Sequence, residues 1–267
     1  MKKLLLLPTA LLFFACNDGT NQQQDDTLAA NQQNSASGTF TRSYSGNTFN
    51  AIDIDPPVNV SLTQSERYSV RLEGDEEFIK ELNVEVRGRT LHIEHKRKNL
   101  INNNQELNVY ISAPEFHDID LSGAAQLSAT NRISGNYSMD IDLSGASNVD
   151  LALSVPSLKM DCSGATDANL DLTVTKLAID CSGAGVLEIK GTTEELVFEG
   201  SGATSLDAKE LQATRVKVDV SGTGSAEVWA TTELDADVSG TSSVRYKGSP
   251  TNIKSDKSGL ASIEAIH

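Results

Sequence analysis

Apolar and polar residues alternate with a period of two along most of the chain after residue 39. The pattern is clearest in residues 158–163, 177–182 and 216–221, where every second side chain is Cys or aliphatic and the others are polar or small. A β-strand places successive side chains on opposite faces, so this period is typical of strands with one buried and one exposed face. The alternation therefore predicts an all-β fold.

A short unit recurs eight times: an acidic residue, any residue, Ser-Gly, and then Ala or Thr, with Leu260 as the exception in the last copy. Successive copies lie 18–22 residues apart. Gly adopts backbone conformations that other residues avoid, which suits a tight turn. An enzyme needs one nucleophile in one place, whereas eight copies of the unit indicate a structural role. Each copy is predicted to form the same tight backbone turn. The predicted turn glycines are Gly123, Gly145, Gly164, Gly183, Gly202, Gly222, Gly240 and Gly259.

One strand-turn-strand unit cannot bury its apolar row alone, but similar units stacked on one another can. Each strand then pairs in parallel with its copy in the next unit. The repeat predicts a right-handed parallel β-helix, a pectin-lyase-like solenoid of about eight coils of 18–22 residues. The sequence shows no six-residue period, which disfavours the left-handed hexapeptide form. Residues 107–267 are the predicted repeat region, and residues 39–106 are predicted to be a β-rich N-terminal capping region.

The N-terminal segment differs in composition from the rest of the chain. Two lysines precede an apolar run that is too short to cross a bilayer, which is typical of a secretory signal peptide over residues 1–15. The segment LLFFAC resembles the lipobox of bacterial lipoproteins, which implies cleavage before Cys16 and lipidation of that residue. An ordinary signal peptide is the alternative. Residues 16–38 are rich in Gln, Asn, Asp and Ser and are predicted to be a disordered tether.

The lipobox resemblance also implies a location and a partner. The residue after Cys16 is Asn17, and the absence of Asp at that place favours sorting to the outer membrane. We therefore expect a protein attached to the cell outer membrane through its N-terminal lipid, facing either the periplasm or the cell surface.

The overall charge narrows the classes of partner. The chain has 37 Asp and Glu residues against 22 Lys and Arg residues, a formal net charge of -15. Nucleic acids attract basic proteins, so this charge argues against nucleic-acid binding. Aromatic residues make up 5% of the chain, so we expect a core built mainly from aliphatic side chains.

The acidic residue of each repeat is expected to stack into a column of like charges. Stacking would place carboxylates about 5 Å apart, which costs on the order of 1 kcal/mol per neighbouring pair in water. Either each carboxylate accepts hydrogen bonds from the turn that follows it, or the column holds calcium ions. We favour the turn hydrogen bonds, since a calcium site needs oxygen ligands from outside the column. Accordingly we predict no metal site and no cofactor.

Cys162 and Cys181 occupy the same inward position of adjacent repeats. Parallel pairing would place their Cα atoms about 5 Å apart, within the range of a disulfide. Side chains in an in-register ladder run parallel, however, which suits the torsion of a disulfide poorly. We therefore favour two buried thiols over a bond.

Residues 39–267 resemble the head GIN domain of auto-transporter adhesins. The features that carry the resemblance are the strands FNAIDID, VNVSLTQ and TLHIEH, the transition NVYISAPEF, and the SGA and SGT turns. The resemblance implies a right-handed β-helix similar in shape to pectin lyases, no catalytic residues, and a role in cell adhesion.

Two classes of function remain open from the sequence. The favoured class is a non-catalytic, surface-exposed binding or adhesion module of an outer-membrane lipoprotein, with a glycan or a protein on another cell or matrix as its partner. The alternative is a polysaccharide-degrading enzyme or a calcium-dependent glycan-binding β-helix. A lyase needs a base and cationic groups clustered in one groove, whereas these repeats are uniform and contain little Arg between residues 144 and 211. We therefore predict a protein that is not an enzyme.

Lipidation of Cys16 can be tested by changing this residue to Ser. Because the lipid is the predicted anchor, we expect the variant to move from the membrane fraction to the soluble fraction of the cell. Immunoblots of the two fractions measure the effect, and an unchanged membrane fraction would contradict the lipid anchor.

Overall fold

The computed structural model describes residues 29–34, 40–96 and 106–266. The predicted signal peptide 1–15, Cys16 and most of the predicted tether 16–38 lie outside the described residues. One part of the tether segment is described: residues 29–34 form a strand. This strand pairs antiparallel with the strand at residues 40–45. Edge pairing uses backbone groups, so a segment without apolar periodicity can still add a strand.

The described residues form sixteen strands and one short helix. The strands are β1 (Ala29–Asn34), β2 (Phe40–Ser45), β3 (Ala51–Ile54), β4 (Val58–Gln64), β5 (Ser69–Gly74), β6 (Leu82–Arg87), β7 (Thr90–His95), β8 (Leu107–Ala113), β9 (Asp118–Leu121), β10 (Ala124–Ala129), β11 (Ile133–Ser134), β12 (Ser138–Gly222), β13 (Ser225–Val238), β14 (Ser243–Lys247), β15 (Asn252–Lys257) and β16 (Ser262–Ala265), and the helix is α1 (Glu76–Lys80). All sixteen strands of the described chain belong to one large open sheet. The prediction of an all-β fold is confirmed.

Strands in the second half of the chain pair in parallel with the copy one repeat away. Leu121 of β9 pairs with Leu143 of β12, which lies 22 residues later. Leu206 of β12 pairs with Ala226 of β13, and Val244 of β14 pairs with Ile263 of β16. Inward residues therefore face inward residues, as the period-two pattern requires.

The N-terminal part of the sheet is mixed. Strands β2, β5 and β8 pair antiparallel, as do β6 and β7, whereas β3 and β4 pair in parallel with β9 and β10. Helix α1 is capped by Asp75, whose carboxylate accepts a hydrogen bond from the Phe78 backbone N–H at 3.0 Å. Phe78 and Ile79 anchor the helix in the core. No helix in the described ranges is long and apolar enough to span a membrane.

The core is a continuous row of aliphatic side chains, with few aromatic residues among them. Leu158, Leu177 and Leu196 are fully buried, as is Phe198, the bulkiest buried side chain in β12. Burial of such a side chain stabilises the folded state by about 1.5–3 kcal/mol. Because each repeat contributes a similar set, the stability of the second half comes from many similar increments.

The eight predicted turn glycines lie above one another, and all have a positive φ. From Gly145 to Gly259, a Cβ on any of them would lie 2.1–2.7 Å from the carbonyl oxygen of the turn glycine in the preceding repeat. That oxygen accepts the hydrogen bond of the next repeat: the Ala146 N–H donates to Gly123 O at 3.0 Å. The Thr241 N–H likewise donates to Gly222 O at 2.8 Å. A side chain at these positions would separate the two backbones that this bond joins.

The glycine stack can be tested with Gly183→Ala, and Gly46→Ala serves as the matched control. Gly183 has φ +128 and a Cβ added there would lie 2.1 Å from Gly164 O, whereas Gly46 has φ +124 with no atom within 4 Å of such a Cβ. The control should lose about 1–3 kcal/mol of stability through its φ alone. Gly183→Ala should lose about 1–3 kcal/mol more because its methyl group collides with backbone.

Urea unfolding of the two variants gives both free energies. Equal losses for Gly183→Ala and Gly46→Ala would show that crowding between turns contributes nothing.

Candidate binding groove

Four successive repeats of β12 form a groove of about 710 Å³ on the outer face of the sheet. Eight of its twelve lining residues are charged or carry an amide: Asp150, Asn169, Asp171, Glu188, Lys190, Asp207, Lys209 and Glu210. The apolar lining residues Leu151, Leu170 and Ile189 are each 2% exposed, because their side chains point into the core. The groove therefore presents hydrogen-bonding groups to solvent, and the aliphatic side chains beneath it are inaccessible.

The strands after each glycine turn arrange these groups in two ladders. The first ladder consists of Asp150, Asn169, Glu188 and Asp207, each five residues after its turn glycine, and it continues through the pair of Asp207 and Glu227. The second ladder lies two residues further along each strand and consists of Asp171, Lys190 and Lys209. Successive members of a ladder repeat at the strand spacing of about 4.8 Å.

Ion pairs join the two ladders and their neighbours. Lys190 Nζ lies 3.9 Å from Asp171, which also pairs with Arg132 at 2.7 Å. Lys209 contacts Asp207 and lies 3.8 Å from Glu227. Exposed pairs of this kind contribute little to stability. Their effect is to hold the charged groups over the groove, where the lining carries five carboxylates and two lysines.

A second concavity lies over the acidic residues that precede the turns. It measures about 210 Å³ and is lined by Asp120, Asp142, Asp161 and Asp180 together with three turn serines. In the described residues the Asp161 carboxylate accepts from Lys159, and no turn N–H donates to any of these four carboxylates. The predicted turn hydrogen bonds are therefore not formed. No cluster of three or more His, Cys, Asp or Glu side chains in the described ranges could hold a metal ion.

Burial, together with the crowding of carboxylates, raises the pKa values of two members of this column. Burial raises the pKa of Asp120 above its usual value, and the charges of Asp53 and Asp142 raise it further. Burial likewise raises the pKa of Asp142, and the Asp161 charge adds to the effect while Lys159 opposes it. The folded protein thus binds these two protons more tightly than the unfolded chain does.

A family model described as "Putative auto-transporter adhesin, head GIN domain" matches residues 48–250, more than half of the 267-residue chain. The chain belongs to the head GIN domain family. The resemblance read from the strand and turn motifs is confirmed.

Solved structures of Bacteroidetes proteins share the fold of this head GIN domain. A "putative adhesin" from Parabacteroides distasonis has 24% sequence identity and a TM-score of 0.77, with 85% of this chain and 97% of that chain covered. A "putative lipid binding protein" from the same species has 25% identity and a TM-score of 0.72, with 87% and 98% covered.

A "putative adhesin" from Bacteroides fragilis has 24% identity and a TM-score of 0.68, with 85% of this chain and 97% of that chain covered. No curated protein matches the chain. The names of these relatives fit an adhesion or binding module, and the likeness itself shows the fold.

The two inward cysteines of the head GIN domain are buried and unbonded. Cys162 is 5% exposed and Cys181 is 4% exposed, and both are free thiols. They contact one another in adjacent repeats, as the repeat spacing predicts. Cys16 lies outside the described residues, so its lipidation stays a prediction.

Sequence reasoning did not find the groove. Its residues are ordinary outward positions of the alternation, and the sequence marks them only by their charge. The signal that was available is the offset from the turn glycine: positions five and seven residues later are charged or amide-bearing in three consecutive repeats, from residue 169 to residue 209. Which outward positions meet in a concavity depends on how each repeat bends, and alternation does not encode this bend.

The raised pKa values predict a pH dependence of stability. Because the folded state binds the protons of Asp120 and Asp142 more tightly, their contribution to stability is present at low pH and is lost as pH rises from the usual carboxyl value of 3.8 through the raised pKa values. The double variant Asp120→Asn/Asp142→Asn should therefore melt a few degrees higher than the parent at pH 7. This advantage should shrink toward pH 4.

Thermal melts from pH 4 to pH 7 measure the effect, with Glu210→Gln as a control that removes one carboxylate away from the column. A double variant that melts lower than the parent at pH 7 would contradict the repulsion.

Proposed function

We propose that this head GIN domain is a non-catalytic binding module that holds an uncharged or amino-sugar glycan along the groove of β12. The observation that carries the proposal is the pair of polar ladders, which offer the same kinds of group at the same place in successive repeats. A polymer of similar sugar units presents similar hydroxyls at regular intervals. A repeating surface suits such a ligand better than it suits a single small molecule.

The chemistry of the lining supports a glycan. Carboxylates accept hydrogen bonds from hydroxyl groups, and the Asn169 amide and the two lysines donate them. Hydrogen bonds to charged groups are stronger than neutral ones, about 1.5–3 kcal/mol each. Carboxylates outnumber lysines by five to two in the lining, which favours an uncharged or cationic polymer over a uronate.

The same lining disfavours a lipid acyl chain and a polyuronate as ligands. An acyl chain needs an open apolar surface, and the aliphatic residues beneath the groove are buried. A polyuronate lyase needs an excess of cationic groups facing its acidic substrate, and in this groove five carboxylates outnumber two lysines. We therefore assign no catalytic residue to the groove.

The proposed module is a right-handed parallel β-helix of about eight coils, lipidated at Cys16 and exposed on the outer membrane. The stacked glycines and the parallel pairs one repeat apart support the coils. The signal-like N-terminus and the relatives named adhesins support the location. On such a protein the groove is available to glycans of another cell or of the surrounding matrix.

The test is a screen of the purified protein against immobilised neutral, amino-sugar and uronate oligosaccharides. We expect binding to a neutral or amino-sugar chain. Glu188→Gln and Asp207→Asn together should weaken it at least about tenfold, since they remove charge-assisted hydrogen bonds. Glu195→Gln is the matched control, because Glu195 is partly exposed and forms an ion pair with Lys176 outside the groove.

Three outcomes would refute the proposal. Equal affinity of the groove variant and the parent would place the ligand elsewhere. Shortening of a uronate polymer during incubation would favour the lyase. Binding to phosphatidylcholine vesicles with no response to any glycan would favour a lipid ligand.

A further inference from the structure

Among the first seven repeats, the inward column next to the turns is aliphatic except in the third, fourth and fifth repeats. The residue between the acid and the turn Ser is Leu121 and Leu143 in the first two repeats, and Val220 and Val238 in the sixth and seventh. Between these aliphatic pairs it is Cys162, then Cys181, and then a glycine at position 200. Two thiols and a glycine thus replace the aliphatic side chains over three repeats, and the Phe198 ring and the Thr204 hydroxyl fill the place that a Cβ of this glycine would take.

A cavity of about 10 Å³ lies beside the two cysteines. Its lining includes both cysteines and the hydroxyl-bearing residues Thr166 and Thr204. Each threonine is 4% exposed, and its Oγ1 atom lacks a well-formed hydrogen bond to any protein group. The Thr166 hydroxyl does lie near enough to the Cys162 thiol to lower its pKa. Two buried hydroxyls without full partners and two thiols therefore surround one small space.

The ladder geometry favours a bridged thiol pair over a disulfide. Side chains at equivalent positions of neighbouring parallel strands start about 4.8 Å apart. A disulfide requires the sulfur atoms to approach to about 2.05 Å, with a torsion near 90°. A metal ion placed in line between two thiolates at about 2.3 Å from each spans about 4.6 Å. The strand spacing thus fits a linear sulfur–metal–sulfur bridge with little movement.

We propose that Cys162 and Cys181 form a two-coordinate site for a soft, thiophilic cation of the Cu⁺, Ag⁺ or Hg²⁺ class. Thiolates are soft ligands and select such ions. The cavity is too small for an organic ligand, and the absence of a third or fourth ligand in the described residues disfavours zinc, which requires four.

Binding exchanges protons for the ion and involves no oxidation. Each thiol loses its proton, both sulfur atoms form bonds to the cation, and two protons leave to solvent. Contact with Cys181 lowers the pKa of the Cys162 thiol, and the same contact raises the pKa of Cys181. Because binding requires both thiols to lose their protons, affinity should rise with pH.

The charge of the cation should determine which member of this class binds most tightly. A monovalent ion leaves the dithiolate with one net negative charge beside Asp161 and Asp180, whereas a divalent ion leaves it neutral. We therefore expect Hg²⁺ to bind more tightly than Ag⁺. The hydroxyls of Thr166 and Thr204 complete the polar lining around the bridge.

The experiment uses the full chain carrying Cys16→Ser, so that Cys162 and Cys181 are its two remaining thiols out of the three cysteines in the sequence. Thiol titration after unfolding should give two free thiols. Titration with Ag⁺ in nitrate buffer should then saturate at one ion per chain and release two protons. Near-ultraviolet absorption should report the metal–thiolate bonds, and Zn²⁺ should not compete.

Cys162→Val and Cys181→Val are the matched variants, because valine fills the same inward column at Val220 and Val238. Each should keep the fold, measured by circular dichroism, and lower the affinity for Ag⁺ at least about 100-fold. Thr166→Val keeps both thiols and should keep the one-ion stoichiometry, so it tests the site even if a cysteine variant unfolds.

Several results would overturn the site. These are a thiol count of zero, which indicates a disulfide, a stoichiometry of two ions per chain, or saturation that is unchanged in both cysteine variants. Loss of one-ion binding in Thr166→Val while its thiols remain free would also overturn it.

Discussion

The close contact of backbone with backbone at the glycine turns is the constraint on which the repeat region depends. The carbonyl oxygen of each turn glycine occupies the space where a Cβ of the next turn glycine would lie. The same oxygen accepts a hydrogen bond from the residue after that glycine, as in the bond from the Thr223 N–H to Gly202 O at 2.8 Å. Glycine therefore does two things here: it permits a positive φ, and it lets two chains approach to hydrogen-bonding distance.

The fixed register at the turns determines which side chains of neighbouring repeats lie next to one another. Because each glycine lies over its predecessor, the positions that follow soon after a turn lie over their counterparts, as Ser205 to Ala208 pair with Ser225 to Val228. Register shifts after Ala208 and Ala213 change the pairing further along the repeat. Inward positions become columns of aliphatic side chains, and a substitution there alters one layer of a continuous core. Outward positions form ladders of side chains on the surface. An acidic residue that recurs in each repeat forms a column of negative charge. A recurring polar residue lines one side of a groove. The outward side chains can thus vary between repeats while the glycine turns stay the same.

Much of the fold could be predicted because its signals are local. Alternation around Leu158 and Leu177 indicates strands, and the Ser-Gly spacing indicates the stacked turns. Asp75 followed by Glu76 marks the start of the short helix by an ordinary capping pattern. The strand at residues 29–34 escaped prediction because it is held by backbone pairing at a sheet edge and has no apolar period of its own.

The candidate site was less accessible from sequence for a different reason. The groove depends on the curvature of the sheet across residues 150 to 210, and curvature is a property of the whole repeat. The hydrogen bonding of the acidic column was also predicted wrongly. The N–H groups of Ser239 and Thr241 lie close in sequence to Asp237, but they donate to the carbonyl oxygens of Val220 and Gly222 in the preceding repeat. Proximity along the chain is a poor guide to hydrogen bonding where each strand has a partner one repeat away.

Repetition also makes electrostatic costs cumulative. One carboxylate before a turn is harmless, but in a column burial raises the pKa values of Asp120 and Asp142, and repulsion from neighbouring carboxylates raises them further. Burial of the aliphatic rows and the hydrogen bonds between turns offset this repulsion. A formal net charge of -15 opposes association between copies of the chain, and the column of carboxylates adds a local concentration of like charge. The repulsion that weakens the fold at neutral pH therefore also opposes self-association of the folded protein.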